Sequence, residues 1–337
     1  MQESAGPPAL PNQSSAAQRT SGIPAGRRLA VLVLGMHRSG TSVLTRAISL
    51  LGAALPSDLS PPGPYNPEGF WEPVGLQQTN DRLLRAAGSA WLDVAPPDLE
   101  TVPPETIEPL LAELRQGLGR SFGDAPCFVL KDPRLCRMVP LYRSLLGELG
   151  AEVRVVLALR DPVAVAASLH TRNRFSFHYG GLLWAGHMLA AERESRDLPR
   201  IVVRYDDLIA DWRWPARRIA RLLAPFVPPA VPDSMPSPVR AELRHHAPAS
   251  GDAFDPALGA LLRTIHDAIA ESAPPDTMDA LAAGLAERSA AIAELAAVEF
   301  RAQLLIPPHT NVPPSDPLQV RSDMAAGFDR LYRRDAG

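Results

Sequence analysis

Three stretches of this sequence combine residue types and spacings that could grip a multiply charged anion and move a group along it. The first is GMHRSGTS, residues 35–42. Glycines let such a loop curl until its backbone N–H groups converge on an anion, and a following helix adds the positive end of its dipole. The spacing of Gly35 and Gly40 matches the nucleotide-triphosphate P-loop, which requires Lys next. Thr41 stands there instead, so Arg38 is left to supply charge. His37, Ser39, Gly40, Thr41 and Ser42 complete the candidate cradle. The second stretch is ALRDPVAVAASLH, residues 158–170. Arg160 ends an apolar run, and Ser168 lies nearly two turns into the helix that Pro162 opens. A strand-end guanidinium and a helix hydroxyl suit a second phosphate, distinct from the first.

The third stretch is CFVLKDPRLC, residues 127–136. It holds Lys131, the only lysine among the 34 residues that are Lys or Arg. Surface cations are interchangeable, so a sequence drifting toward Arg loses Lys wherever either will do. A site needing a compact ammonium on a flexible stem cannot accept the planar guanidinium. Lys131 is therefore a candidate catalytic cation.

The elements that must position these residues are legible from hydropathy. LAVLVL (29–34) is a continuous apolar run of strand length, suited to a parallel strand covered on both faces. From Thr41, apolar residues recur at helical spacing until Gly52. Residues 55–75 are dense in Pro and Gly and form a long loop, of a kind often functional. Helices are expected over about 74–87 and 104–119, and strands over 127–131, 152–159 and 200–205. Residues 134–150 read as one helix kinked or broken at Pro140. Asp161 caps a helix with Pro162 at its first position. Helices follow at about 180–195, 206–226 and 277–305, and a short last helix follows PPHTNVPPSDP. The alternation argues an α/β fold: a P-loop-type parallel sheet flanked by helices, with a helical C-terminal extension. The expected division is a disordered tail over 1–27, an α/β domain over 28–235, and a Pro-rich linker with helices over 236–337 packing on the core.

A net charge of −3 provides no global field for nucleic acid or anionic membranes, so local clusters must carry any anion binding. Two cysteines, Cys127 and Cys136, suggest buried thiols rather than a disulfide framework or zinc site. No apolar run is long enough to span a bilayer, and the N-terminus lacks an apolar signal core. A cytoplasmic location is expected.

Strand–GMHRSGTS–helix, LKDPR, LRDPVAVAASL and VRYDDLIADW follow one another in this order over about residues 29–225. Together they resemble the sulfotransferases that use 3′-phosphoadenosine 5′-phosphosulfate (PAPS), in particular the bacterial and Golgi carbohydrate branch. The resemblance implies metal-independent transfer of a sulfuryl group from PAPS to a hydroxyl or amine of a carbohydrate or small molecule, leaving 3′-phosphoadenosine 5′-phosphate (PAP). It assigns residues 37–42 to the phosphosulfate, Arg160 and Ser168 to the 3′-phosphate, and Lys131 to the departing nucleotide. A general base is required. The cytosolic branch's His after the lysine is replaced by Asp132, whereas YNPEGFWE offers Glu68 and Glu72. Glu72 is preferred, because Phe70 and Trp71 could desolvate it; Asp132 and His37 are alternatives. No counterpart exists for the cytosolic branch's C-terminal adenosine loop, and Arg172 and Arg174 could supply part of it. A P-loop kinase or NTPase, or an inactive PAPS-binding module, are the competing readings.

Overall fold

The computed structural model describes residues 26–63, 66, 69–228, 230, 231, 233, 234, 237 and 253–304, with the backbone alone from 290. Most of the expected N-terminal tail, Tyr65, Glu68, much of the Pro-rich linker and the expected last helix lie outside these residues. Four strands, β1 (Arg28–Leu34), β2 (Cys127–Lys131), β3 (Ala151–Leu159) and β4 (Arg200–Arg204), form one parallel sheet in the order β2-β1-β3-β4. Residues of β1 alternate between two cores, as a period of two demands. Ala30, Leu32 and Leu34 join one core, and Leu29, Val31 and Val33 the other.

Helices α1 (Thr41–Leu50), α2 (Val74–Ala86), α3 (Pro104–Phe122) and α4 (Val139–Glu148) cover the sheet. Helix α1 supplies Leu44 and Ile48 to the second core, whereas α2, α3 and α4 pack Leu83, Leu114 and Leu146 into the first. Full burial of such side chains stabilises by about 1.5–3 kcal/mol each. Residues 134–150 do not form one kinked helix. A 3-10 turn (Pro133–Arg137) precedes α4, and Pro140 sits in that helix's first turn, where its missing N–H costs nothing.

Helices α5 (Pro162–Asn173) and α6 (Phe177–Glu194) follow β3; α6 starts earlier than its apolar spacing suggests because Ser176 caps it. The helical stretch after β4 is divided into α7 (Tyr205–Ala210) and α8 (Arg213–Leu223). Asp211 separates them, extended and with its side chain accepting from the Arg213 N–H. Beyond the linker come α9 (Pro256–Glu271), capped by Asp255, and α10 (Pro275–Leu304). Leu258, Leu262 and Ile265 of α9 and Met278 of α10 share a third core with Leu182, Trp184 and Met188 of α6. Gly181 permits that approach, since a Cβ there would lie 2.7 Å from Leu262.

The loop between β1 and α1 needs its glycines. A Cβ on Gly35 would lie 2.9 Å from the Ala158 carbonyl of β3. Gly40 has φ 84°, and a Cβ there would lie 2.4 Å from the Tyr205 ring. Gly40→Ala thus combines left-handed strain with overpacking. It should lower the unfolding free energy by about 2–4 kcal/mol, measured by urea denaturation; a loss under about 0.5 kcal/mol would refute this packing.

Candidate active site

Parallel pairing brings the C-terminal ends of all four strands to one edge of the sheet, and the sequence-predicted residues gather there. Residues 35–40 leave β1; Lys131 is the last residue of β2; Arg160 follows β3; Tyr205 follows β4. The loop after β1 makes left-handed turns at Arg38 (φ 72°) and Gly40, a backbone form that turns N–H groups toward anions. Its lead N–H, on Gly35, donates to the Cys136 sulfur at 3.1 Å. Gly40 is the N-cap of α1 and offers no side chain to the helix's first N–H groups. Ser39 is buried, and its hydroxyl has no partner among the described residues. Ser42 accepts from Asn66 Nδ2 at 3.1 Å and reaches the Phe70 carbonyl at 3.4 Å, tying the cradle to the long loop. Thr41 is buried.

Arg160 and Ser168 do not stand apart from the first loop. Arg38 Nε donates to Ser168 Oγ at 2.8 Å, and Arg160 Nη1 donates to the Arg38 carbonyl at 2.8 Å. The Arg160 guanidinium lies over the Tyr205 ring, 4.3 Å from its centroid. The sets expected as two separate anion sites therefore meet in one basic cluster. Burial lowers the pKa of both guanidinium groups, and the Arg160 charge lowers that of Arg38 further. Asp161 caps α5 as expected, accepting from the Ala164 N–H at 2.9 Å.

Lys131 is not solitary. Its Nζ donates to Glu72 Oε1 at 2.5 Å, with the side chains 2% and 3% exposed. Gln77 Nε2 donates to the other Glu72 oxygen at 2.8 Å. Burial pushes the Glu72 carboxyl above the usual carboxylate range, with the Lys131 charge opposing. Trp71, the residue before it, is buried at φ 58° with Arg46 over its ring. The alternative base Asp132 is engaged elsewhere: Arg134 holds one oxygen and Asn80 the other. Tyr142 donates to the Asn80 carbonyl oxygen at 2.7 Å and fixes that amide. Arg134 extends the network to both oxygens of Asp81.

His37 packs against Trp91 with the rings tilted by 59° and centroids 4.5 Å apart, and its Nε2 is buried without a partner among the described residues. Burial holds its pKa well below the ordinary histidine value, and Arg172, Arg134, His187 and Lys131 add to the effect. Arg172 also lies over Trp91, 5.8 Å from its centroid, and Arg174 ends α5 in a left-handed turn. Sequence reasoning missed Arg137 and His187, both buried beside this edge. The one signal was a charged residue inside the apolar run LCRMV.

No family model and no curated protein matches this sequence. Among solved structures, the fold is similar to the sulfotransferase domain from the Synechococcus PCC 7002 olefin synthase, at 19% identity and a TM-score of 0.34, covering 78% of this chain and 97% of that one.

Removing one partner of a buried ion pair strands the other charge and costs about 3–5 kcal/mol. Lys131→Met and Glu72→Gln should each destabilise by that amount in urea, and the double variant by about 1–3 kcal/mol less than their sum. Strict additivity would show that the pair is not formed. His187 is also held well below its ordinary pKa, by burial first and Arg137 next. A depressed folded value means stability that is present above the unfolded pKa and lost as pH falls. The unfolding free energy should decline below about pH 6.5, and His187→Gln should flatten that decline; an unchanged slope would count against a neutral buried His187.

Proposed function

We propose that this chain transfers a sulfuryl group from PAPS to a hydroxyl or amine of a small-molecule or carbohydrate acceptor, without a metal. The observation that carries the reading is the convergence of Arg38, Arg160 and Ser168 at the strand ends that also present the chain's only lysine, paired with a buried carboxylate. The residues fit such a donor. An unpartnered buried Ser39 hydroxyl, an uncapped helix start and two left-handed turns suit the phosphosulfate end. Arg160, Arg38 and Ser168 suit the 3′-phosphate, and the half-buried Arg172 beside Trp91 suits the adenosine. The donor supplies the sulfuryl group and a nucleotide able to leave with its electrons.

The protein's part is proton and charge placement. Glu72, with its pKa raised by burial, is suited to take the proton from the acceptor hydroxyl. Once neutral, it no longer balances Lys131, so the ammonium's charge becomes available at the bond that breaks. Removing such preorganised charge commonly costs about 3–4 kcal/mol of barrier.

The test has two arms. PAP should raise the melting temperature by a few degrees without magnesium, more than ATP or ADP does. A larger effect of ATP with magnesium would favour a kinase or NTPase and overturn the reading. Lys131→Ala should lose turnover of labelled PAPS by ~100-fold or more while keeping the PAP-induced shift; unchanged turnover would remove Lys131 from the chemistry.

A further inference from the structure

Arg137 ends the 3-10 turn that follows β2 and is 6% exposed. Its Nη1 donates to the carbonyls of Ala90 and Ala95, both at 3.1 Å, which fixes the plane of the guanidinium. Its Nε and Nη2 are buried with no partner among the described residues. These two atoms form the side-on edge of the guanidinium, whose parallel N–H groups match the two oxygens of a carboxylate. The same protein shows what that edge does when a carboxylate is present. Arg134 Nε and Nη2 bind both oxygens of Asp81 at 2.6 and 2.9 Å, and Arg115 uses the same atoms on Glu148 at 2.6 and 3.2 Å. Asp93 is the carboxylate whose charge acts most on Arg137, yet its Oδ2 is turned to Ser89 and the Ala90 N–H at 2.8 Å.

A buried cation with three of its five N–H donors unpaired is costly unless something meets it. Beside it, His187 directs Nδ1 at the Leu183 carbonyl at 2.8 Å. A carbonyl only accepts, so Nδ1 carries the proton and Nε2 is a buried acceptor, also unpartnered among the described residues. The place adjoins the donor loop. His37 of that loop packs against the Trp91 ring, and the neighbouring Ala90 anchors Arg137. His37 also senses the charge of Lys131.

We propose that the Nε/Nη2 edge of Arg137 receives a carboxylate carried by the acceptor, making the substrate a hydroxy acid. This rests on the sulfotransferase reading. The Ala90 and Ala95 carbonyls hold Nη1 in place, leaving the Nε/Nη2 edge for the acid. The neutral His187 Nε2 accepts from a donor on the same molecule.

Calorimetric titrations test this with glycolate, 4-hydroxybenzoate and glucuronate, each against its methyl ester, with acetate as the free anion, in the presence and absence of PAP. In the wild type at least one acid should bind ~10-fold or more tightly than its ester and than acetate. Arg137→Lys, which keeps charge but not the edge, and Arg137→Met should both abolish that preference. Equal binding of acids and esters by the wild type would overturn the proposal without any variant, and so would a preference that survives both substitutions. Acetate binding as tightly as the acids would mean a small-anion site and would also overturn it. If PAP fails to bind while acids are still preferred, the sulfotransferase reading falls and the carboxylate site stands.

Discussion

Parallel strand pairing is the constraint on which the rest of this molecule depends. It places the ends of β1, β2, β3 and β4 along one edge, so residues far apart in sequence share one neighbourhood without any long-range motif. The register is specific: Val33 pairs with Lys131, Leu34 with Leu157 and Leu159 with Arg204. A slip of one residue in β2 would turn its side chains to opposite faces, and Lys131 would leave Glu72. The apolar alternation of β1 into two separate cores makes such a slip expensive. Burial far from the edge thereby holds these side chains in place at the edge.

Charge is distributed unevenly along that edge. Arg134 is satisfied by Asp81 and Asp132, and Lys131 by Glu72. Arg38 and Arg160 lean on a hydroxyl, a carbonyl and an aromatic face. The carboxylates of Asp161 and Asp206 act on the Arg160 charge from nearby. The chain as a whole is slightly acidic, so the positive character here is built locally, by the choice of partner for each cation.

Strands, most helices and the loop after β1 were readable because each rests on local periodicity or on backbone freedom at particular glycines. The helix cap at Asp161 was readable for the same reason. Pro140 was misleading, since a proline signals a break without saying whether it falls inside a helix or at its start. The Lys131–Glu72 pair was only half legible. Residue types nominated both members, but their contact spans 59 positions and follows from the path of the long loop. The joining of Arg38 to Ser168 was likewise invisible, because the spacing of the two stretches does not say which side chain crosses between them. Arg137 carried almost no signal: its placement depends on carbonyls from a segment that hydropathy leaves featureless.

The sulfur of Cys136 has a consequence for chemical durability. It receives the N–H of the residue that begins the curled loop, and burial pushes its thiol up to about 12. Oxidants and electrophiles attack the thiolate, so a thiol kept protonated and out of solvent resists them. The loop after β1 is thus suspended from an atom that is weakly basic enough to accept a hydrogen bond and too inert to be modified, and its shape should not vary with the redox state around the protein.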